Sequence, residues 1–400
     1  MFHPAAIRSL VALLLLALLL RMELAALVCA LLLVTAGIAW LWRRWAGARL
    51  EYSRALSQER AFPGDEVELA IRLANRKPLP LVGLTVRELV PAALELGLPP
   101  LKRDAGGRQV LERSTTLGWY EAVTWRYTLR CPARGAYRIG PAEIELGDPF
   151  GFYRATRREP QHAALIVYPR LLPLEELGLP PHRPLGELAA RQLVRDPLRT
   201  VGVRDYHPDD PLKDVHWPAT ARAGALQTRV YEPTAAREVA LFLDLDTFER
   251  YWEGIDVEQV ERLISAAATL AKAGLEEGYG VGLYVNGAPA EHERLARLPP
   301  GRSPAQLVLI METLGRLTPY SITPMPHLLR HAASDLPWGA TVLLLSATAT
   351  DATRAALLRL RERGRAVAWL YLGAGPPPAL PGVAVRHAPP TQDWRRRTAD

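Results

Sequence analysis

The sequence predicts a membrane-anchored chain of several domains: an N-terminal transmembrane helical hairpin, a β-sandwich, and a C-terminal doubly wound α/β domain. Three observations carry this. Two apolar runs open the chain. Residues 50–165 hold short alternating segments split by turn residues, the pattern of half-buried strands. From Val239 onward, short apolar runs alternate with helical periods, as in an open parallel sheet with helices on both faces.

The anchor, residues 1–45, comes first. Ala5–Leu20 is apolar apart from Arg8 and Ser9, and Leu24–Trp42 is a second apolar run after Arg21-Met22-Glu23. At about 1.5 Å per residue the second run spans roughly 29 Å and the first about 24 Å, against a bilayer core of about 30 Å. Two spanning helices, one spanning helix, and a cleaved signal peptide are the alternatives. Arg21 and Glu23 do not make a small-residue cleavage site. Arg43, Arg44 and Arg49 follow the second run beside Trp40, Trp42 and Trp45. Basic flanks stay on the cytoplasmic side, so the soluble domains are expected to face the cytoplasm from the inner (cytoplasmic) membrane.

Residues 50–165 are expected to form an antiparallel sandwich of the immunoglobulin-like type. Val67–Leu73, Leu81–Glu88 and Thr124–Leu129 read as strands. Pro63-Gly64-Asp65, Asn75–Pro80 and Pro91 supply turn chemistry between them. Residues 166–200 are rich in Pro and Leu and read as a linker or an arm packed across a domain. The α/β domain occupies 201–390. Its expected strands are Val239–Leu245, Val281–Val285, Thr341–Leu345 and Val367–Tyr371. Its helices are Val257–Glu277, Pro304–Leu317 with Ser303 as N-cap, and Thr350–Arg363 closed by Gly364. The tail ends in Trp394-Arg-Arg-Arg397.

Composition narrows the function classes. The net charge of +7 over 400 residues suits an anionic membrane surface and is too weak to argue for nucleic acid. Thirty-five prolines and forty-five arginines against four lysines read as genome composition. Cys29 and Cys131 are the two cysteines, too separate in context to imply a disulfide. No phosphate loop and no nucleophile elbow occur, so nothing supports ATP hydrolysis or nucleophilic catalysis by this chain.

The densest chemistry lies in Val203–Glu232. Arg204, Asp205, Tyr206, Asp209, Asp210, Lys213, Asp214, His216, Trp217, Thr220 and Arg222 interleave without a helical or strand period. Such a segment is a functional surface or a fully hydrogen-bonded polar network. Arg204, Asp210 and Arg222 are expected to lock the segment onto the α/β domain by charge-assisted hydrogen bonds, with Trp217 as the apolar anchor. If Trp217 is core, its truncation costs about 3–5 kcal/mol.

Arg204-Asp-Tyr206, Asp209-Asp210, His216-Trp217, Thr220-Ala-Arg222 and Glu232 resemble the bacterial "domain of unknown function 58" family. Pro63-Gly64-Asp65, Arg134-Gly135 and Asp148-Pro149-Phe150-Gly151 extend the resemblance. Two departures are Asp209, where the family usually has Gly, and Lys213, where it usually has Arg and a bidentate fork. The resemblance implies a C-terminal domain like von Willebrand factor A and a membrane-tethered scaffold. The implied partners are a MoxR-type AAA+ ATPase and other membrane proteins, and no reaction is implied.

Domains of that type often hold Mg²⁺ at an Asp-x-Ser-x-Ser stretch. Here Asp244-Leu-Asp246-Thr247-Phe248 stands in its place. Asp244, Asp246 and Thr247 offer oxygens and Phe248 does not. The alternative is a degenerate site in which Asp244 caps a helix or pairs with Arg, with no cofactor at all. Two rival functions stay open: a metal-dependent hydrolase using Asp244, Asp246 and the His207–His216 cluster, and a Mg²⁺-dependent adhesion module. His327 and His331 are spaced i, i+4, but Leu328 stands where a zinc peptidase needs Glu.

Overall fold

The computed structural model describes residues 4–97, 99, 101–147, 154–182, 184–189, 195–208, 210–233, 237–290, 294–332, 335–337 and 339–389. The chain divides into two units, Met1–Val167 and Tyr168–Asp400. Asp148-Pro149-Phe150-Gly151, Asp209 and the Trp394–Arg397 tail lie outside the described residues.

The first unit opens with α1 (Pro4–Leu19) and α2 (Glu23–Ala46). They pack on one another, with small Ala17, Ala26 and Cys29 among the buried positions, as close helix approach requires. Arg21 turns the chain between them at φ 52°. One helix, Glu23–Ala46, is long and apolar enough to cross a membrane, and α1 is a shorter apolar helix.

The strands that follow are β1 (Leu50–Leu56), β2 (Arg60–Ala61), β3 (Glu66–Asn75), β4 (Leu81–Val90), β5 (Glu95–Leu96) and β6 (Lys102–Arg103). Then come β7 (Gln109–Leu117), β8 (Ala122–Arg130), β9 (Gly135–Ile139), β10 (Ala142–Gly147), β11 (Arg154–Glu159) and β12 (Ala163–Val167). They form sheets in the orders β1-β3-β8-β5, β11-β10-β4-β7-β6 and β2-β12-β9. Period-two burial puts Val67, Leu69, Ile71 and Leu73 of β3 on the core side. Leu50 and Leu73 of the first sheet share one cluster with Leu84, Leu117 and Ile144 of the second. The Pro63-Gly64-Asp65 turn needs its glycine, because Gly64 sits at φ 96° and a side chain there would be strained. Both cysteines are free and buried.

Charged residues cross this core in two places. Glu88 of β4 pairs with Arg54 of β1 at 2.5 Å, both side chains being buried, and Tyr52 donates to Glu88 as well. Arg54 also donates to the Ile139 and Gln161 carbonyls. The group thus ties β1 to the facing sheet. Burial raises the Glu88 carboxyl above its ordinary range, against the pull of Arg54. Secondly, Lys77 Nζ donates to the Ala46 and Ala48 carbonyls at 2.5 Å each, closing the C-terminal end of α2.

The second unit carries α3 (Pro184–Ala189), β13 (Arg195–Asp205), α4 (Trp217–Ala223), β14 (Gln227–Pro233), β15 (Glu238–Leu243), α5 (Val257–Glu276), β16 (Gly280–Val285) and β17 (Gly287–Pro289). It continues with β18 (Arg297–Gly301), α6 (Pro304–Arg316), β19 (Leu317–Ser321), α7 (Met325–Ala332), β20 (Thr341–Ser346), α8 (Asp351–Glu362), β21 (Val367–Tyr371) and β22 (Ala384–His387). The main sheet runs β18-β16-β15-β20-β21-β22. β18 is antiparallel and the other neighbours pair in parallel. Ala240, Phe242, Val342, Leu344 and Trp369 pack with Leu328 and Leu329 of α7 and Leu357 and Leu360 of α8. Residues alternate across a strand, so Val239, Leu241 and Leu243 point to the other face, and α5 packs on the same strand.

Within the second unit, Leu172, Leu185 and Gly186 of the expected linker or arm are held against α5. The Leu172 amide donates to Thr269 Oγ1 at 2.8 Å, and the Leu185 and Gly186 amides donate to Glu277 at 3.2 Å. Leu185 fills the space where a Cβ on Gly274 would stand. Strand structure begins at Arg195, inside the expected linker. Ser303 stands at the N-cap position of α6, but its side chain makes no capping bond.

Two outcomes follow for detergent-solubilised protein. Glu88→Ala leaves Arg54 buried and unpaired, and should cost about 3–5 kcal/mol in thermal unfolding, whereas replacing both partners by apolar residues should cost less. Equal losses would contradict the bridging role. Burial, reinforced by Arg157, lowers Lys77 to about 8, below its unfolded value of about 10.4. Between those values the unfolded chain binds more protons, so stability rises with pH across the window. Lys77→Met should remove that rise, and a wild-type-minus-variant melting difference flat from about pH 8 to 10 would contradict it.

Candidate functional site

Between Asp205 and Gln227 the chain leaves its hairpin and returns. β13 and β14 pair antiparallel, with Asp205 opposite Gln227 at the mouth. Gln227 Nε2 donates to Asp205 Oδ1 at 2.6 Å. The Gln227 amide donates to Thr220 Oγ1 at 3.0 Å, and the His216 amide to the Gln227 carbonyl at 2.7 Å. Arg204 Nη2 lies 2.6 Å from Asp210 Oδ1, and the His207 amide donates to Asp210 Oδ2 at 2.9 Å. The Arg204 guanidinium holds the Asp210 carboxyl below its ordinary range, helped by that amide.

α4 has its own local logic. His216 is its N-cap, with Nδ1 accepting from the Ala219 amide at 3.0 Å. Pro218 fits the first turn, where its missing N–H is no loss. Gly224 ends the helix in the left-handed region at φ 67°. Tyr206 is half-buried, and its amide donates to the Leu226 carbonyl at 2.9 Å. Val215 and Thr228 are buried beneath the loop.

Trp217 is not the apolar anchor: it is 65 % exposed. It opens α4 on a loop whose buried positions are held by Val215, Gln227 and Thr228, which leaves its ring on the outside. Arg222 is exposed and makes no hydrogen bond or ion pair with the described residues, so the lock is Arg204–Asp210 alone. Leu212, 70 % exposed, and Lys213 lie on the 3₁₀ turn Leu212–Asp214. Glu232 belongs to β14.

The second cluster sits at the carboxyl end of the main sheet. The chain leaves β15 for β16 on one side and reaches β20 on the other, which makes the crevice there the ligand position of an open α/β sheet. Asp244 follows β15, and its amide donates to the Leu345 carbonyl at 2.9 Å. It is 2 % exposed. Its Oδ1 accepts from Asn286 Nδ2 at 2.7 Å and from the Asp246 amide at 3.2 Å. Asp246 accepts from Ser321 Oγ at 2.5 Å and from Asn286 Nδ2 at 3.4 Å. Burial pushes the Asp244 carboxyl well above the carboxylate range, and the neighbouring Asp246 charge adds to it. Among the described residues Asp244 pairs with no Arg.

The donor set fits a hydrogen-bonded acid pair better than Mg²⁺. Asp244, Asp246 and Ser321 offer oxygens, but the Asn286 amide nitrogen stands against both carboxyls. Thr247 Oγ1 accepts from the Asp256 amide at 3.0 Å, which bends the loop into α5. Among the described residues no three His, Cys, Asp or Glu side chains converge as a metal-binding group. Asn286 and Ser321 were missed by the sequence reading. Asn286 follows a buried strand, as Asp244 does, which is a usable signal. Ser321 has none.

Asp244 contributes stability that is present below its unfolded pKa of about 3.9 and lost as pH rises through its raised folded value. Asp244→Asn, neutral throughout, should therefore gain on wild type in melting temperature between about pH 4 and pH 8, measured with chelator present. A constant difference would contradict a protonated Asp244.

Residues 202–368 match the family described as "Protein of unknown function DUF58". The uncharacterized protein YeaD of Bacillus subtilis is 24 % identical over 233 residues, covering 58 % of this chain and 54 % of that protein. The chain thus spans about half the length of that relative. A PapD-like domain of human CEP192 is 14 % identical at TM-score 0.19, over 30 % of this chain and 84 % of that one. A type II cohesin domain of Acetivibrio cellulolyticus is 12 % identical at TM-score 0.21, over 29 % and 94 %. Scores this low do not show a shared fold. The braced loop and the carboxyl crevice both lie within residues 202–368, the stretch that matches the family of unknown function DUF58.

Proposed function

We propose that this chain is a membrane-anchored, non-enzymatic scaffold whose braced loop at 204–227 recruits a cytosolic partner. The partner expected from the family resemblance is a MoxR-type AAA+ ATPase. The anchor is the α1–α2 hairpin at the inner membrane, with the sheets of the first unit and the second unit on the cytoplasmic side. The sheets of the first unit are read as an immunoglobulin-like spacer. The second unit is read as von Willebrand factor A-like, on its strand order and its single antiparallel edge.

The observation that carries this reading is the division of labour in the loop. Its polar residues Arg204, Asp205, Asp210, Thr220 and Gln227 are consumed in bracing. Trp217, Leu212 and Arg222 stand outward instead. Trp and Arg are the residues that dominate binding energy at interfaces, and a braced loop loses little entropy on binding. A hydrolase centred on Asp244 and His216 is less well supported, because the His216 ring is already used to cap α4.

The test is crosslinked recovery of partners from native membranes, with Trp217→Ala and Arg222→Ala against wild type. Both variants should melt within about 0.5 kcal/mol of wild type, as surface substitutions do. Both should lose an AAA+ ATPase that wild type recovers. Full recovery by both variants would exclude this face as the contact.

A further inference from the structure

Among the described residues of the first unit's β-rich part, the two most exposed aromatics sit together, at the end where α2 enters. Trp119 and Tyr120 are 69 % and 65 % exposed in the loop between β7 and β8. That loop is held in place. The Tyr120 amide donates to the Lys77 carbonyl at 3.4 Å, and the Asn75 amide to the Glu121 carbonyl at 2.9 Å. Asn75 Nδ2 donates to the Gly118 carbonyl at 2.7 Å, and the Gly118 amide to Glu121 Oε2 at 2.6 Å. Tyr120 is kept at φ 53°, a conformation that costs a bulky residue free energy unless its surroundings enforce it.

The same Lys77 reaches the last carbonyl of α2, at Ala46. One residue therefore separates the aromatic loop from the helix end. Ala46 and Leu50 are buried in the core with Leu73, Leu81 and Leu117, so helix and sheets meet in packed structure. Ala46 lies four residues beyond Trp42, where the apolar run stops. That is about 6 Å of helix, and the headgroup zone on each side of a bilayer is roughly 5–8 Å deep. Trp40 and Trp45 on α2 are exposed too. Arg44 stacks over Trp40 at 5.9 Å, and Arg49 is exposed beside the turn. Trp and Tyr partition to this zone because one end of the ring system is apolar and the other can be wet, and cations there favour anionic lipids.

We propose that Trp119 and Tyr120 form one aromatic belt with Trp40 and Trp45, seated in the headgroup layer of an anionic bilayer. The β7–β8 loop is then a second membrane contact, and it holds the sheets of this unit against the bilayer. This rests on the reading of α2 as a spanning helix.

The test uses full-length protein with Cys29→Ala and Cys131→Ala, reconstituted in phosphatidylcholine–phosphatidylglycerol vesicles. An environment-sensitive fluorophore is attached at Trp119→Cys or Tyr120→Cys, at Leu31→Cys in α2, or at Ala105→Cys. Ala105 lies beyond the far end of β7, about 30 Å away at the strand rise. Each variant is first checked for an unchanged melt. Quencher lipids carry their label at the headgroup or deep in the acyl chain. The proposal expects loss of emission from the Trp119 and Tyr120 positions with the headgroup quencher, from Leu31 with the deep quencher, and from Ala105 with neither. A quenched Leu31 beside unquenched Trp119 and Tyr120 overturns the belt while leaving the anchor standing, and would free the aromatics for a protein partner. An unquenched Leu31 overturns the anchor and the belt together.

Discussion

The hydrogen bonds that cross the mouth of the 204–227 loop are what its surface depends on. Some twenty residues leave the hairpin there, and fixing each backbone costs about 1–2 kcal/mol. Val215 and Thr228 are nearly all the buried packing available to offset that. The rest comes from Asp205 to Gln227, Thr220 to Gln227, and Arg204 to Asp210. The bonds to Asp205 and Asp210 are charge-assisted, and such bonds are among the stronger polar contacts. The segment is dense in charge because polar side chains do here what an apolar core does elsewhere. Trp217 and Leu212 are then free to face outward on a framework that does not need them.

The same economy of desolvated polar groups recurs elsewhere in the chain. Arg54, Glu88 and Tyr52 tie the facing sheets of the first unit, and Asp244, Asp246, Asn286 and Ser321 close the crevice of the second. Each is a buried network with high stakes, since an unpaired member is costly at low local dielectric. In the crevice the Asn286 amide group donates to both carboxyls, whereas the 204–227 loop leaves Trp217 and Leu212 outward.

Much of the fold was legible from period alone. The alternation in β3 and β8 and the apolar runs at β15, β16, β20 and β21 were placed to within a residue or two, because burial on one face or both leaves a direct pattern. The short strands β5 and β17, and β13 at the end of the Pro-rich arm, carry no local pattern because partners farther along the chain decide them, and β6 is two exposed charged residues with no apolar period. The site was half legible. Arg204 and Asp210 do pair, but with each other inside the loop rather than onto the rest of the domain. A large aromatic such as Trp217 reads as core in sequence, and the His216 cap and the Gln227 contacts show that the loop is braced without it. Charge alone suggests a place for Arg222 in the lock, yet it pairs with nothing among the described residues. Asn286 and Ser321 reach Asp244 and Asp246 through the topology of the sheet, which no local pattern encodes.

The central claim is that the loop is a preformed surface, held by its own polar bonds without a partner. Amide hydrogen exchange on the isolated, detergent-solubilised protein tests it most directly. The amides of Tyr206, His207, Asp210, His216, Gly224 and Gln227 all have acceptors within the loop or its hairpin. They should be protected well beyond unfolded rates, and as one group, since the bonds brace one another. Exchange at unfolded-chain rates across these amides would mean that the loop orders only on binding, and would contradict the account.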